Sequence, residues 1–502
     1  MTDAEIRHHL ARASELHRIG DYQPAMQIYR SVLDAHPDQI DALTLLASAM
    51  RSTGEIAESV ALYGRVAGSN PERPEFWFNR GNALNDFGQH AEAIDSYHRS
   101  LSIDARNASV LANLAIAEAK IGQADAAAEH YRAALAIDPA HRIAAHNLGN
   151  LLSERGKSAE AAKLLRQTVA NWPELAEGHY NLGLLLLRLG DFGNGFKEYE
   201  WRWQTADFFA KPGYRNVPVW DGEPLAGSRL IVHAEQGLGD TIQFAKVLGL
   251  LQSLCADVVF HVPEKLERLL RSLPFDITVT GSHRAADADF QLPLLSLMHR
   301  LKLTLGTVPA QASFLAAETA LAEAWAKRLD LGRGPKTIGL VWQGNPNSPA
   351  ERGRSLPSAE ILQPFSEIAG ARLLALQHLP EDALEPAETP SGWKVRGLSF
   401  ILEHPGSGTD RGPDAFVDTA AIMDGLDLVV SVCTAPLHLA GALGRPTIAL
   451  LRTVPDWRWM DEREDTPWYP SMRLVRQRAG EPTYAEAIAR AVDAARAALV
   501  SG

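Results

Sequence analysis

Six glycines, Gly20, Gly54, Gly88, Gly122, Gly156 and Gly190, stand 34 residues apart without a slip. Tyr29, Tyr63, Tyr97, Tyr131 and Tyr199 keep the same phase, with Leu165 at the missing step. Pro37, Pro71, Pro139 and Pro173 follow it too, with Ala105 as the one substitution. A fixed period of this length means a stack of one supersecondary unit repeated, here over roughly residues 6–207. Each unit is expected to be two antiparallel helices: glycine permits the tight turn, aromatics and alanines pack the pair, and proline ends the second helix.

The pattern resembles the tetratricopeptide family, so residues 1–207 are expected to form a curved α-helical solenoid with a long concave face. One position on the first helix of each unit carries Asn79, Asn113, Asn147 and Asn181, again 34 apart. Asparagine offers both a donor and an acceptor, so such a ladder can pair with the backbone of an extended acceptor peptide whatever its side chains. The ladder resembles that in the tetratricopeptide half of protein O-GlcNAc transferases, although asparagine at this position also serves the fold alone. Units one and two carry Ala11 and Leu45 there, which concentrates any groove in units three to six.

A net charge of −12 disfavours a general binder of nucleic acid or anionic membrane. The apolar and charged fractions, 46% and 22%, are those of a globular protein, and 502 residues imply two or three domains. Cys255 and Cys433 are the only cysteines; they fit a reducing cytoplasm and give no metal cluster. A charged N-terminus (Asp3, Glu5, Arg7) without an apolar core does not read as a signal peptide, and no apolar run reaches the length of a membrane span.

After Trp201 and Trp203 the repeat stops. Residues 208–228, with Lys211, Pro212, Gly213, Pro218, Gly222 and Pro224, read as a linker. Phe208, Phe209, Tyr214 and Trp220 suggest that it packs down and fixes the angle between the halves. On this reading residues 1–205 can be removed without harming the C-terminal half.

From residue 229 strands and helices alternate, as in parallel α/β units. Strands are expected at 229–234, 257–262, 277–280 and 289–292, with a helix at 241–254. A second series is expected at 336–342, 371–377, 427–432, 447–451 and 472–476, after a crossing at 309–335. A closing helix at 484–499 is expected to lie back across the first series. The most informative stretch is 427–451: a buried strand, Thr434 as a helix cap, Pro436 in the first helical turn, then Gly444 and Pro446 before the next strand. A strand, tight turn and helix start aim unpaired N–H groups at one spot and favour an anion such as phosphate, with His438 as a further donor. An ordinary capped βαβ unit would look the same.

Several phrases carry a second resemblance: residues 235–241 (Glu-Gln-Gly-Leu-Gly-Asp-Thr), 342–346 (Trp-Gln-Gly-Asn-Pro), 354–357 (Arg-Ser-Leu-Pro), 431–435, 438–446 and 467–470. Together they resemble bacterial tetratricopeptide proteins with a catalytic region similar to the heptosyltransferases of glycosyltransferase family 9. The resemblance implies a GT-B fold of two Rossmann-like lobes, residues 229–332 on the acceptor side and 333–502 on the nucleotide-sugar side. It implies Asp240 as the carboxylate base of an inverting transfer and Arg354 as the cation facing the leaving phosphate. Gly237, Gly239, Gln343, Asn345, Arg352, Ser355, Thr434, Ala435 and His438 would line the donor site. The nucleotide sugar is a co-substrate; neither a metal nor another cofactor is expected. Many relatives have aspartate where this chain has Cys433, which leaves donor recognition open.

Asp240 can equally serve as a helix cap, and the loop before Arg354 can be merely solvated. Trp457 and Trp459 either stack on a ligand or seal the lobe interface. The expectation is a cytoplasmic, inverting, metal-independent glycosyltransferase with a protein acceptor, flagellin by analogy, held by the repeats. Transfer to a lipopolysaccharide or exopolysaccharide, or a scaffold whose transferase lobes are inactive, are the alternatives.

Overall fold

The computed structural model describes residues 1–206, 208, 214, 216–254, 257–282, 288–345 and 353–501. Arg352, Cys255, Phe209 and the Lys211–Gly213 stretch of the expected linker lie outside the described residues. The chain divides into two compact units, Met1–Gly178 and His179–Gly502.

The first unit holds five helix pairs: Asp3–Arg18 with Tyr22–Ala35, Ile40–Thr53 with Ile56–Ser69, Pro74–Asp86 with His90–Ile103, Ala108–Lys120 with Ala124–Ile137, and Arg142–Glu154 with Ser158–Asn171. Its five repeat glycines all sit at φ between +72° and +88°, where a side chain costs about 1–2 kcal/mol. The tyrosine phase has a packing cause. Each aromatic lies against a small residue on the first helix, and a Cβ added at Gly81 would come 2.5 Å from the Tyr97 ring. Leu165 fills the same place opposite Gly149.

The sixth pair, Ala176–Arg188 and Phe192–Tyr199, belongs to the second unit apart from its first three residues. The compact units therefore part at Gly178, whereas the repeat pattern puts the boundary at 207. Sequence period and packing diverge because the outer face of the last helix is apolar: Phe192, Phe196 and Tyr199 are buried in the same core as Phe244, Trp457 and Trp468. Within the pair, a Cβ at Gly183 would stand 2.7 Å from the backbone nitrogen of Tyr199, which cannot move aside as a side chain can. Gly183→Ala is expected to destabilise the second unit by about 1–3 kcal/mol, read as a lower denaturation midpoint.

Beyond it lie two parallel sheets. The first contains β1 (Arg229–His233), β2 (Asp257–His261), β3 (Thr278–Thr280) and β4 (Phe290–Pro293), in the order β3-β2-β1-β4. The second contains β5 (Lys336–Val341), β6 (Ala371–Ala375), β9 (Leu428–Val432), β10 (Thr447–Leu451) and β11 (Met472–Arg476), in the order β11-β10-β9-β5-β6. An antiparallel hairpin, β7 (Leu384–Pro386) and β8 (Trp393–Val395), lies between β6 and β9 in the chain. The strands expected from sequence match these within one or two residues.

Three features differ from expectation or bear on it. The helix after β1 is α-helical only over Leu238–Phe244 and tightens to 3-10 geometry over Ala245–Leu251. The closing helix, Ala485–Ser501, packs on the second sheet and not across the first: Ala487, Ile488, Ala491 and Val492 share a core with Ile338, Leu340, Ile448 and Leu450. The described part of the linker does pack down. Trp220 N–H donates to Gln291 O at 2.9 Å and Gln291 N–H to Pro218 O at 2.9 Å, which ties it to β4.

Candidate functional site

The strand orders mark where a ligand fits. In the first sheet the chain reverses direction of travel at β1, which has β2 on one side and β4 on the other; in the second it reverses between β5 and β9. Crevices beyond the carboxyl ends of strands at such switch points are the usual ligand sites of parallel sheets. The loops leaving β1, β5 and β9 carry Asp240, Gln343 to Ser355, and Thr434 to His438 respectively.

Two of these loops touch. A Cβ added at Gly239 would stand 3.0 Å from His438 Cδ2 and 3.4 Å from Ala435 Cα, so only glycine permits this approach. Asp240 and His438 thus meet at one place, with Gly237, Gln343 and Asn345 exposed beside it. Asp240 also serves its helix: Oδ2 accepts Gly237 N–H at 2.9 Å. The other oxygen, Oδ1, pairs with Arg458 Nη2.

That arginine starts a chain of alternating charge. Arg458 Nη1 donates to Asp456 Oδ1 at 2.8 Å, and Arg354 Nη2 to Asp456 Oδ2 at 3.0 Å. Burial alone would raise the Asp456 carboxyl, but the Arg458 and Arg354 guanidiniums outweigh it and hold the group near 2. Asp456 is ionised at any working pH. Sequence reasoning noted the Pro-Asp-Trp-Arg-Trp phrase for its tryptophans and missed both charged residues; an Asp-Trp-Arg phrase just past a buried strand was the available signal.

The β5 loop is stapled at both described ends. Gln343 N–H donates to Gln377 Oε1 at 3.1 Å, and Gly344 N–H to Ser355 Oγ at 2.9 Å. Ser355 is therefore occupied in holding the loop beside Arg354. At the β9 turn, Thr434 takes the N-cap position of Ala435–Ala442, but its hydroxyl donates back to Val432 O at 3.3 Å and makes no side-chain cap. The expected threonine cap is thus absent, and that hydroxyl leaves the first helical N–H groups to other acceptors.

His438 is not an open donor. Its Nδ1 is 3.0 Å from Tyr469 Oη, and its ring stacks on Trp459 at 5.4 Å. Burial, reinforced by Arg458, pushes its pKa to about 3, so the ring is neutral. Trp459 Nε1 donates to Cys433 Sγ at 3.0 Å, and burial raises the thiol above its usual range, which leaves no thiolate nucleophile. Trp457 and Trp459 are buried, and Trp457 packs with Phe196, Tyr199 and Phe244. They seal the interior; ligand stacking on them is ruled out. Lys246, fully buried, donates to Trp468 O at 2.6 Å and joins the helices after β1 to the segment before β11.

In the solenoid, Asn113 Nδ2 donates to Asn82 Oδ1 at 2.7 Å, and Asn147 bonds the Tyr131 hydroxyl. Asn79, Asn113 and Asn147 lie half-buried in the first unit, while Asn181 lies in the second. Among the described residues no group of three His, Cys, Asp or Glu is placed to hold a metal, and no helix is long and apolar enough to cross a membrane.

Residues 44–108 and 146–207 match one tetratricopeptide repeat family and residues 108–141 another. Residues 413–486 match glycosyltransferase family 9 (heptosyltransferase). Protein FlbA of Caulobacter vibrioides (strain ATCC 19089 / CIP 103742 / CB 15) is 29% identical over 328 residues, covering 59% of this chain and 52% of that protein. The chain thus spans about half the length of the curated relative it matches. Similar solved structures include a thermophilic tetratricopeptide protein of Thermus thermophilus (17% identity, 36% of this chain and 99% of that one, TM-score 0.32). Another is PilF of Pseudomonas aeruginosa (15% identity, 40% and 92%, TM-score 0.37). The chain is a tetratricopeptide-repeat protein that carries a glycosyltransferase family 9 region behind its repeats.

Proposed function

We propose that the protein is an inverting glycosyltransferase of GT-B plan that moves a sugar from a nucleotide-sugar donor to a hydroxyl of a protein held along the repeats. The observation that carries this reading is the contact between the β1 loop and the β9 helix start, which sets a carboxylate beside N–H groups and guanidiniums. Asp240 takes the acceptor hydroxyl proton, the acceptor oxygen bonds the anomeric carbon, and the bond to the phosphate oxygen breaks with its electron pair. Arg354 and the amides at Thr434 and Ala435 meet the charge that the leaving diphosphate gains, and no metal is required for it. Gln343 and Asn345 orient the donor from the exposed edge. Asn79, Asn113, Asn147 and Asn181 hold the acceptor backbone, with the amide atoms not already used inside the solenoid.

The test is release of nucleoside diphosphate from a panel of UDP-, GDP- and ADP-sugars, with release of CMP from CMP-sugars alongside. Asp240→Asn is expected to lower turnover by about a hundredfold or more, and Arg354→Ala by about a hundredfold. Absence of turnover with every donor would leave the inactive-scaffold reading in its place.

A further inference from the structure

Arg354, Asp456, Arg458 and Asp240 form an unbroken line of two cations and two carboxylates, so their charges cancel. A diphosphate arriving at a neutral line finds no free cation in it. Arg458 is also fixed in place: its side chain is 8% exposed, and its guanidinium lies over the Phe244 ring at 5.4 Å and the Trp457 ring at 4.5 Å. Among the described residues its Nε has no hydrogen-bond partner, so its side-chain pairing runs through the two terminal nitrogens. The next residue, Trp459, touches both Cys433 and His438, which places Arg458 against the turn that carries Thr434 and Ala435.

We infer that Arg458 is a counter-charge shared in time: it pairs with Asp240 before transfer and with the leaving phosphate after it. This rests on the transferase reading. As the acceptor O–H breaks, its proton forms a new O–H on Asp240 and that carboxylate becomes neutral. In the same step the C–O bond to the donor phosphate breaks and its electron pair stays on the phosphate. Negative charge vanishes at one partner of Arg458 as it appears on the departing group. A buried cation left unpaired is costly, so the exchange favours the two bond changes occurring together. Arg458 is on this account a positioning residue for the base and a direct partner of the leaving group.

The first test needs no turnover. Inorganic pyrophosphate is titrated by calorimetry into the full-length chain near pH 7. Asp240→Asn, which releases Arg458, is expected to bind it about tenfold more tightly than the unaltered protein. In the double variant Asp240→Asn/Arg458→Met that gain is expected to disappear. Equal or weaker binding by Asp240→Asn, or a gain that survives in the double variant, overturns the proposal. The second test is the pH profile of kcat/KM. Loss of the neighbouring cation raises the Asp240 pKa, so the acid limb of Arg458→Met is expected to move up by about one pH unit or more, while Arg458→Lys keeps it in place. A merely structural role would lower activity without moving that limb, and an unmoved limb in Arg458→Met therefore also overturns the proposal. Failure of every donor to turn over removes the transferase reading, and the pyrophosphate comparison still decides whether Arg458 is shared.

Discussion

A chain beginning at Pro173 is expected to fold and to turn over its donor within a few-fold of the full-length protein, whereas one beginning at residue 206 is expected not to fold. The repeat pattern implies the opposite for the second truncation, since it counts residues 1–207 as one solenoid. The packing decides. Removing residues 173–205 strips Phe192, Phe196 and Tyr199 from a core shared with Phe244, Trp457 and Trp468. Each such side chain contributes about 1.5–3 kcal/mol of burial. It also removes Arg202, the partner of the buried Glu235, at a further cost of about 3–5 kcal/mol. The sum reaches the whole stability of an ordinary domain, about 5–15 kcal/mol. Thermal denaturation of the two truncations, with donor hydrolysis alongside, checks this. Transfer to a protein should be lost in both, because both lack Asn79, Asn113 and Asn147. A folded, active 206–502 fragment would show that the sixth repeat is a spacer after all.

The repeats were legible because each of their constraints is local. A left-handed turn needs glycine 34 residues on, and a small residue on one helix needs a large one on the next, as with Gly81 and Tyr97. The strands were legible for a similar reason: β9, β10 and β11 are short apolar runs closed by glycine, proline or charge. Domain limits were not, because the period continues through Gly190 although the apolar face after it packs elsewhere. Helical periodicity tells which face of Phe192–Tyr199 is apolar, not which surface covers it.

Much the same divides the site. Asp240, Arg354 and the Thr434–His438 turn lie in phrases that can be matched residue by residue, and the structure brings the β1 and β9 phrases into contact. What those residues pair with was hidden. Asp240 and Arg458 stand 218 residues apart, and no spacing rule joins them. His438 was expected to donate from an open turn, yet its environment is set by Trp459 and Tyr469, which fold over it from later in the chain. Exposure of a side chain is a property of what covers it, and covering residues are non-local.

Arg202→Met is expected to destabilise the second unit by about 3–5 kcal/mol, with the double variant Arg202→Met/Glu235→Gln recovering most of the loss. Arg202 is fully buried. Its Nε donates to Glu235 Oε2 at 3.1 Å, Nη2 to Glu235 Oε1 at 2.9 Å and to Ser296 Oγ at 2.8 Å, and Nη1 to Glu200 Oε1 at 2.6 Å. The guanidinium also lies over the Tyr199 and Trp203 rings. Burial already pushes the Glu235 carboxyl above its usual range, more strongly than Arg202 pulls it down. Without Arg202, Leu295 N–H, at 2.9 Å, is the donor left among the described residues to hold that charge. Glutamine keeps an acceptor for that N–H and carries no charge, which is why the double variant recovers. The deficit also depends on pH. In Arg202→Met a carboxyl whose folded pKa lies above its unfolded value binds more protons when folded, so the deficit is largest above the raised pKa and shrinks as pH falls toward the ordinary range. Glu235 opens the loop that ends at Asp240, and the next residue, Gln236, is held in a left-handed conformation at φ 61° by its bond to Tyr199 Oη at 2.6 Å. Loss of the pair therefore loosens the base as well as the fold, and donor turnover in Arg202→Met should fall even at temperatures where the variant remains folded.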